Sequence, residues 1–454
     1  MKRFFTLCLS AVLLLSNTLP ATAAKAAPPA EQTKEADRSL WPKGPSVNAK
    51  SAVLIDASTG LVLYEKNAHK KEYPASTTKI LTTLLALENC SMNETVTFSH
   101  NAVFNLESGS SHIGIDEGEQ LTVEQCLYAI MLASANEVST GIAEHISGSV
   151  EEFAKLMNRR AEELGCLNTH FANANGLHND KHYTSAYDMA LIGRAAMQNP
   201  VFRKITATKR YTIPPTNKHK NENIFANHHK MLVDSPFQYE YCVGGKTGYT
   251  SKAGNTLVTF AQKGEVSLVC VVMRANGPTS PENEYTDTTR LFEWGFENFT
   301  QYDISSEKLS FEEEAASLFT RYSPFFDPEA SPLKLGSHAT VFLPKTAELA
   351  EAERQITFQA NGGLEKGDNI IGTVTYTYGG KTVGSCDIIF RKAPSSALTA
   401  AEDAREVDSK TVRTGDKWNL KPWIILVIFL LLGSGGFFYW KRSHKNRRKT
   451  FDFR

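Results

Sequence analysis

Three short patterns in this chain of 454 residues set hydroxyls near a lysine amine or an asparagine amide. The first is Ser76-Thr77-Thr78-Lys79, preceded by Pro74-Ala75 and followed by the apolar run Ile80–Leu87, which reads as a buried helix. A serine in the first turn of that helix lies near free backbone N–H groups and the positive end of the helix dipole. A lysine three residues on projects from the same face. Apolar neighbours strip its hydration, make the ammonium form costly and lower its pKa. A neutral amine beside a hydroxyl can take that hydroxyl's proton, which turns the serine into a nucleophile. The plainer reading is an N-cap followed by a surface lysine. Ser-x-x-Lys also recurs at Ser305–Lys308 and Ser331–Lys334, but neither of those opens an apolar helical run.

The second pattern, Ser134-Ala135-Asn136, is a polar break between two helical runs. Ser-x-Asn is common by chance and recurs at Ser46–Asn48 and Ser91–Asn93. The third, Lys246-Thr247-Gly248, follows Gly244-Gly245 on an expected strand edge and is the only Lys-Thr-Gly in the chain. Arg413-Thr414-Gly415 comes near it but sits in a polar stretch.

The elements that must position these groups follow from periodicity. Ala52–Asp56 and Leu61–Glu65 flank Ala57-Ser58-Thr59-Gly60 as a hairpin. Thr122-Val123-Glu124-Gln125 opens a helix through Leu132 by the capping-box pattern. Val138–Ile146, Val150–Leu164 (stopped by Gly165) and Ser185–Met197 read as further helices, the last ended by Pro200. Phe171–Tyr183, rich in Asn, His and Gly, reads as a loop. Val201–Val233 reads as extended pieces and loops. Thr256–Ala261 and Val266–Met273 read as strands joined at Lys263-Gly264, and Thr288–Phe296 as a closing helix. Strands, then helices, then strands again predict an α+β fold, an antiparallel sheet with helices packed on it. Past residue 300, Val341–Leu343, Ile356–Phe358, Ile370–Tyr376 and Cys386–Phe390 read as short strands, with turns at Gly362-Gly363 and Gly379-Gly380.

In this order and these contexts, the three patterns resemble those of the serine penicillin-recognising enzymes. The chain looks most like their low-molecular-weight D-alanyl-D-alanine carboxypeptidases. Tyr73–Lys79, Leu132–Asn136, Phe171–Leu177, Tyr183–Asp188, Gly245–Thr250 and Leu291–Phe296 carry the likeness, which covers roughly residues 45–395. It implies a β-lactamase/transpeptidase-like catalytic domain at 46–300 and a small all-β domain at 301–392. It implies that Ser76 attacks the carbonyl between two D-alanines at the end of a peptidoglycan stem peptide, with Lys79 as base and Ser134 as proton relay. Asn136 would orient Lys79 and hold a substrate amide. Lys246 and Thr247 would bind the terminal carboxylate, and Gly248 would let substrate lie against the strand. The backbone N–H groups of Ser76 and Tyr249 would form the oxyanion hole. β-Lactams would acylate Ser76. A class A β-lactamase shares the three patterns but has Asp where Ala135 stands, and Glu163 and Asn168 do not match the spacing of its water-activating Glu. A wall-binding protein without catalysis is the other alternative.

No cofactor is implied. His112, His178, His182, His228 and His229 show no helical ligand pair with a third donor, so no metal is expected. Charge is balanced, 49 basic against 49 acidic, and no aromatic-studded basic patch suggests nucleic acid. Lys2-Arg3, an apolar Phe4–Leu15 and Ala21-Thr22-Ala23 read as a secretory signal over residues 1–23, with a disordered leader at 24–45. A polar tether at 393–421 leads to an apolar stretch at 422–440, long enough to span a bilayer and flanked by Trp418, Trp423, Tyr439 and Trp440. The basic tail at 441–454 belongs in the cytoplasm by the positive-inside rule. The expectation is an exported catalytic body held at the cell membrane by one C-terminal span. Six cysteines remain after signal removal, none in a Cys-x-x-Cys pair; Cys126 and Cys270 lie in apolar runs and read as core.

Overall fold

The computed structural model describes residues 40–275, 283–305, 333–336, 339–358 and 367–392. The signal, all but the last residues of the leader, the turn at 362–363, the tether, the span at 422–440 and the basic tail lie outside the described residues. Contacts divide the chain into a larger unit, residues 1–363 and 369–390, and a smaller one, residues 364–368 and 391–454. The elements that carry the site belong to the larger unit.

The chain opens with β1 (Ser51–Asp56) and β2 (Val62–Lys66), the expected hairpin. Its turn is fixed by the Asp56 carboxylate, which accepts from Thr59 N, Thr59 Oγ1 and Ser58 Oγ, each at 2.6 Å. A 3-10 turn at Ala75–Thr78 then runs into α1 (Lys79–Asn89), whose first eight residues are all buried. After β3 (Thr95–Thr97), the short α2 (His100–Phe104) and β4 (Gln120–Thr122) comes α3 (Val123–Leu132). The capping box at its start is formed reciprocally by Thr122 and Gln125. Its whole length from Cys126 is buried, as a helix apolar all round must be. α4 (Asn136–Ser147) and α5 (Val150–Glu163) follow.

α6 (Ala186–Gln198) is capped by Ser185, whose hydroxyl accepts from Asp188 N. α7 (Pro200–Thr206) corrects the expectation of loops after residue 200. Pro200 does not end a helix there but begins one. Its missing N–H is no loss at the first helical position, and Asn199 Oδ1 accepts from Val201 N and Phe202 N. β5 (Arg210–Ile213) pairs with β6 (Asn223–Ala226). The last strands of the main sheet are β7 (Cys242–Thr250), β8 (Gly254–Lys263) and β9 (Val266–Met273), followed by α8 (Asn283–Asn298).

The main sheet is antiparallel, in the order β2-β1-β9-β8-β7. Both faces are covered. Val53, Ile55, Val258, Phe260, Val269 and Val271 join the core formed with α1, α3, α4, α6 and α7. Alternate residues point the other way: Leu54 and Leu268 meet α8 at Gly295, where a side chain would collide with both. β7 ends the strand order, so the Lys-Thr-Gly strand is an edge of the sheet, packed beside the Ser76 turn.

Downstream, β10 (Phe299–Asp303) precedes β11 (Leu333–Leu335), β12 (Thr340–Pro344), β13 (Glu353–Phe358), β14 (Gly367–Tyr378) and β15 (Lys381–Lys392). β10 pairs with β12, and the others form a sheet in the order β11-β15-β14-β13. No helix among the described residues is long and apolar enough to cross a membrane. Cys90, Cys126, Cys166, Cys242, Cys270 and Cys386 are all free thiols, with Cys126 and Cys270 fully buried.

Candidate active site

The fold brings the three patterns to one cavity of about 520 Å³, lined by Ser76, Ser134, Asn136, Thr247, Gly248 and Tyr249, among others. A larger cleft, about 950 Å³, opens beside α6 and β15 and holds none of these residues.

Ser76 sits in the 3-10 turn at the foot of α1 rather than in the helix itself. The residue before it, Ala75, has φ of +50°, an uncommon conformation for a side-chain-bearing residue. Two glycines make room for this turn. A Cβ on Gly176, whose φ is +85°, would collide with the Ala75 carbonyl. One on Gly248 would strike Thr256 Oγ1 and stand 3.0 Å from Ser76 N. Gly248 thus lets the edge strand press against the Ser76 backbone N–H.

Lys79 is fully buried. Its Nζ lies 3.1 Å from Ser76 Oγ, 2.6 Å from Asn136 Oδ1 and 2.5 Å from the Asn175 carbonyl oxygen. Burial is the main force holding its pKa well below the usual lysine value; the nearby Lys246 charge adds to the depression and Glu137 opposes it. Ser134 is buried with φ of +60°, a strained backbone held in the break between α3 and α4. Asn136 begins α4, and its backbone N–H donates to Ser111 O at 3.0 Å. That bond ties the 109–111 wall of the cavity to the helix that carries the Lys79 partner.

Lys246 lies 1% exposed behind the cavity wall, not on it, while Thr247 is part of the wall. Its Nζ donates to Thr247 O at 3.1 Å. Among the described residues no carboxylate comes within ion-pair distance of it. Burial pushes its pKa down to about 7. Tyr249 lines the cavity, and its side chain is largely exposed.

Several contributors lie outside the three short patterns. Asn175 acts through its main-chain carbonyl, which any residue type could supply. Glu137 is buried, and its Oε1 accepts from Ile113 N at 2.6 Å, fastening the same wall as the Asn136–Ser111 bond. His182 Nδ1 accepts from Ala172 N at 2.9 Å, which makes Nε2 the protonated nitrogen that donates to Thr78 Oγ1 at 2.8 Å. Burial holds its pKa at about 3, so the ring stays neutral. His229 is likewise buried and neutral, beside Thr259. His228 lines the cavity.

Comparison with known proteins decides the family. A family model described as D-alanyl-D-alanine carboxypeptidase, Peptidase S11, matches residues 38–277, more than half of the chain. The chain belongs to this family. It is 37% identical over 262 residues to D-alanyl-D-alanine carboxypeptidase DacF of Bacillus subtilis, covering 56% of this chain and 64% of DacF. It is 30% identical over 362 residues to D-alanyl-D-alanine carboxypeptidase DacA of Escherichia coli K12, covering 76% and 83%. Among solved structures, penicillin binding protein 5 of Haemophilus influenzae superposes with TM-score 0.60 at 27% identity, over 77% of this chain and 99% of that one. The Streptomyces K15 DD-transpeptidase does so with TM-score 0.52 at 28% identity, over 56% and 100%. The transpeptidase-like α+β architecture of this carboxypeptidase is therefore shared with penicillin-binding proteins.

Proposed function

We propose that this serine-type D-alanyl-D-alanine carboxypeptidase works through an acyl-enzyme on Ser76, with Lys79 as the base. The observation that carries the reading is the set of three neighbours around Lys79 Nζ. Asn136 Oδ1 and Asn175 O can only accept hydrogen bonds. In the neutral amine they engage both N–H groups, and the lone pair is left facing Ser76 Oγ at 3.1 Å. The depressed pKa supports that neutral form.

Ser76 Oγ attacks the carbonyl between the two terminal D-alanines as its proton passes to Lys79. The Ser76 and Tyr249 backbone N–H groups receive the oxyanion. The C–N bond breaks, Ser134 relays the proton to the leaving amine, and D-alanine departs. Water then cleaves the ester. Asn136 orients Lys79 and holds a substrate amide. The substrate's free carboxylate meets Thr247 above the buried Lys246 charge, which has no carboxylate within ion-pair distance among the described residues, and Gly248 lets the peptide lie along the β7 edge. Penicillin enters as a second acyl donor on Ser76. The substrate fitting this arrangement is a peptidoglycan stem peptide ending in D-Ala-D-Ala.

The apolar stretch at 422–440 and its basic flank support an exported body held by one C-terminal span, with the tail in the cytoplasm. Protease added to intact cells should then remove the catalytic body and spare the tail.

The enzymatic test uses the purified full chain and a peptide ending in D-Ala-D-Ala, with free D-alanine as the readout. Release should be lost in Ser76→Ala and strongly reduced in Lys246→Ala. Labelled penicillin should attach to the parent and leave slowly. Unchanged release by Ser76→Ala would overturn the mechanism. Rapid penicillin turnover would favour a β-lactamase, and no release by the parent a binding protein.

A further inference from the structure

At the end of α1 and α4 remote from the cavity, three metal-ligating side chains from separate stretches converge. Cys90 is the C-cap of α1, its N–H donating to Ala86 O at 2.9 Å. Glu94 follows a tight turn closed by its own N–H to Ser91 O at 3.1 Å, and its carbonyl accepts from Val123 N at 2.9 Å. His145 lies in the last turn of α4. The Cys90 thiol, a Glu94 carboxylate oxygen and a His145 ring nitrogen lie within 4.8 Å of one another, and His145 Nε2 is 3.2 Å from Glu94 Oε2. The backbone bonds fix all three before any ligand arrives.

We infer that Cys90, Glu94 and His145 form a binding site for a divalent transition metal, zinc fitting best, that clips the ends of α1 and α4 together. The donor set is thiolate, imidazole and carboxylate, the three side-chain types zinc takes. Bond lengths of about 2.0–2.3 Å place tetrahedral donors roughly 3.3–3.8 Å apart. The group needs to contract by only about an ångström, which side-chain rotation supplies. Glu94 and His145 are open to solvent and Cys90 is partly so, which leaves an entry path and room for water as a fourth ligand. Binding releases the thiol proton to solvent and forms the metal–sulfur bond without any redox change.

A second, independent observation favours a cation at this place. Cys90 ends one helix and His145 stands in the last turn of another, so the negative ends of two helix dipoles meet there. The same two helices begin at Lys79 and Asn136, whose contact sits beside Ser76. With α1 eleven residues long, the clip lies about 16 Å from that contact along the helix axis. It braces the pair without touching substrate, and it does not depend on the catalytic reading.

The test is a titration of the reduced, chelator-free full chain with cobalt(II), a spectroscopic stand-in for zinc. One equivalent should produce a near-ultraviolet thiolate-to-cobalt charge-transfer band together with tetrahedral visible bands. Cys90→Ser should lose the charge-transfer band. His145→Ala and Glu94→Gln should bind more weakly by about tenfold or more. Zinc should raise the melting temperature of the parent and not of Cys90→Ser, while penicillin labelling shows that each variant is folded. Absence of a stoichiometric band in the parent would overturn the site. So would a full-strength band in Cys90→Ser, or parental affinity in both His145→Ala and Glu94→Gln.

Discussion

Lys79 and Asn175 stand 96 positions apart in the chain, yet the lysine Nζ lies 2.5 Å from the asparagine carbonyl oxygen. That contact locks the amine against the Phe171–Tyr183 loop, outside the three short hydroxyl-bearing patterns. It also fixes where the amine's hydrogens go, and hence which way its lone pair faces.

Basicity and orientation at Lys79 should be separable. Lys79→Arg keeps a cation in place, but a guanidinium does not lose its proton in a protein. Penicillin labelling of Ser76 should slow by about 10²–10⁴-fold, the usual worth of general base catalysis. Asn136→Ala removes one acceptor and frees the amine to turn, so it should also slow labelling while leaving a basic lysine. The rate for Asn136→Ala should therefore still rise with pH through the Lys79 pKa, at a lower plateau, while Lys79→Arg shows no such limb. A stopped-flow acylation rate for each variant across pH settles the point; parental labelling by Lys79→Arg would remove Lys79 from the mechanism.

The two buried lysines predict a bell-shaped pH profile. In the proposed mechanism Lys79 acts as a neutral base, and its pKa is held well below the ordinary value, so kcat/KM for the peptide should rise with pH through that depressed pKa. In the proposed mechanism Lys246 acts as a cation, and burial brings its pKa down to about 7, so carboxylate recognition should fade as pH climbs past that value in the free enzyme. Lys246→Arg should hold its charge and erase the falling limb while the rising limb stays. A falling limb unchanged in Lys246→Arg would assign it to another group.

Much of this was readable before any coordinates, because apolar spacing sets most of the framework. The Ile80–Leu87 run, the Thr122–Gln125 box and the Val266–Met273 strand are local signals that the tertiary fold has no reason to override. α7 was missed because its start depends on one side chain, Asn199, capping two amides, and Pro200 looks the same whether it ends a helix or begins one. In the site, Ser76, Ser134 and Thr247 stand out because side-chain chemistry selects them. Asn175 contributes a backbone carbonyl, and Gly176 contributes the absence of a Cβ beside Ala75. Both lie in the Phe171–Leu177 stretch that carries the family likeness, but neither contribution is made by side-chain chemistry from which one sequence could assign a role. Cys90, Glu94 and His145 are equally silent, since their nearness follows from how α1 and α4 pack.

Lys246 should cost stability in proportion to its usefulness. Its folded pKa of about 7 lies below the ordinary lysine value of 10.5. Between those limits the unfolded chain binds a proton that the folded chain does not, so folding stability rises with pH there. Below about 7 the full penalty is present. Lys246→Met should therefore be more stable than the parent at pH 6, and the gap should close by about 1.4 kcal/mol per pH unit from 7 towards 10.5. Urea unfolding of both proteins at several pH values checks this. A methionine variant less stable than the parent throughout would mean that the bond from Nζ to Thr247 O outweighs the burial of charge.

Acid should weaken the protein through histidines that the reaction does not use. His182 and His229 have folded pKa values of about 3 and about 4, both below the ordinary 6.5, because burial disfavours the charged ring. As pH falls below 6.5 the unfolded chain takes up protons that the folded chain refuses. Each histidine then removes up to about 1.4 kcal/mol per pH unit. Asp56 and Glu137, whose carboxyls burial pushes upward, act in the opposite sense, so the slope is best read as variant against parent. His182→Gln removes one titrating ring from the bridge between Ala172 N and Thr78 Oγ1. It should be less stable than the parent at pH 7.5, where that bridge is lost without any gain. The deficit should shrink as pH falls from 6.5 to 4.5. A deficit that stays constant over that interval would mean that His182 titrates alike in the folded and unfolded chains.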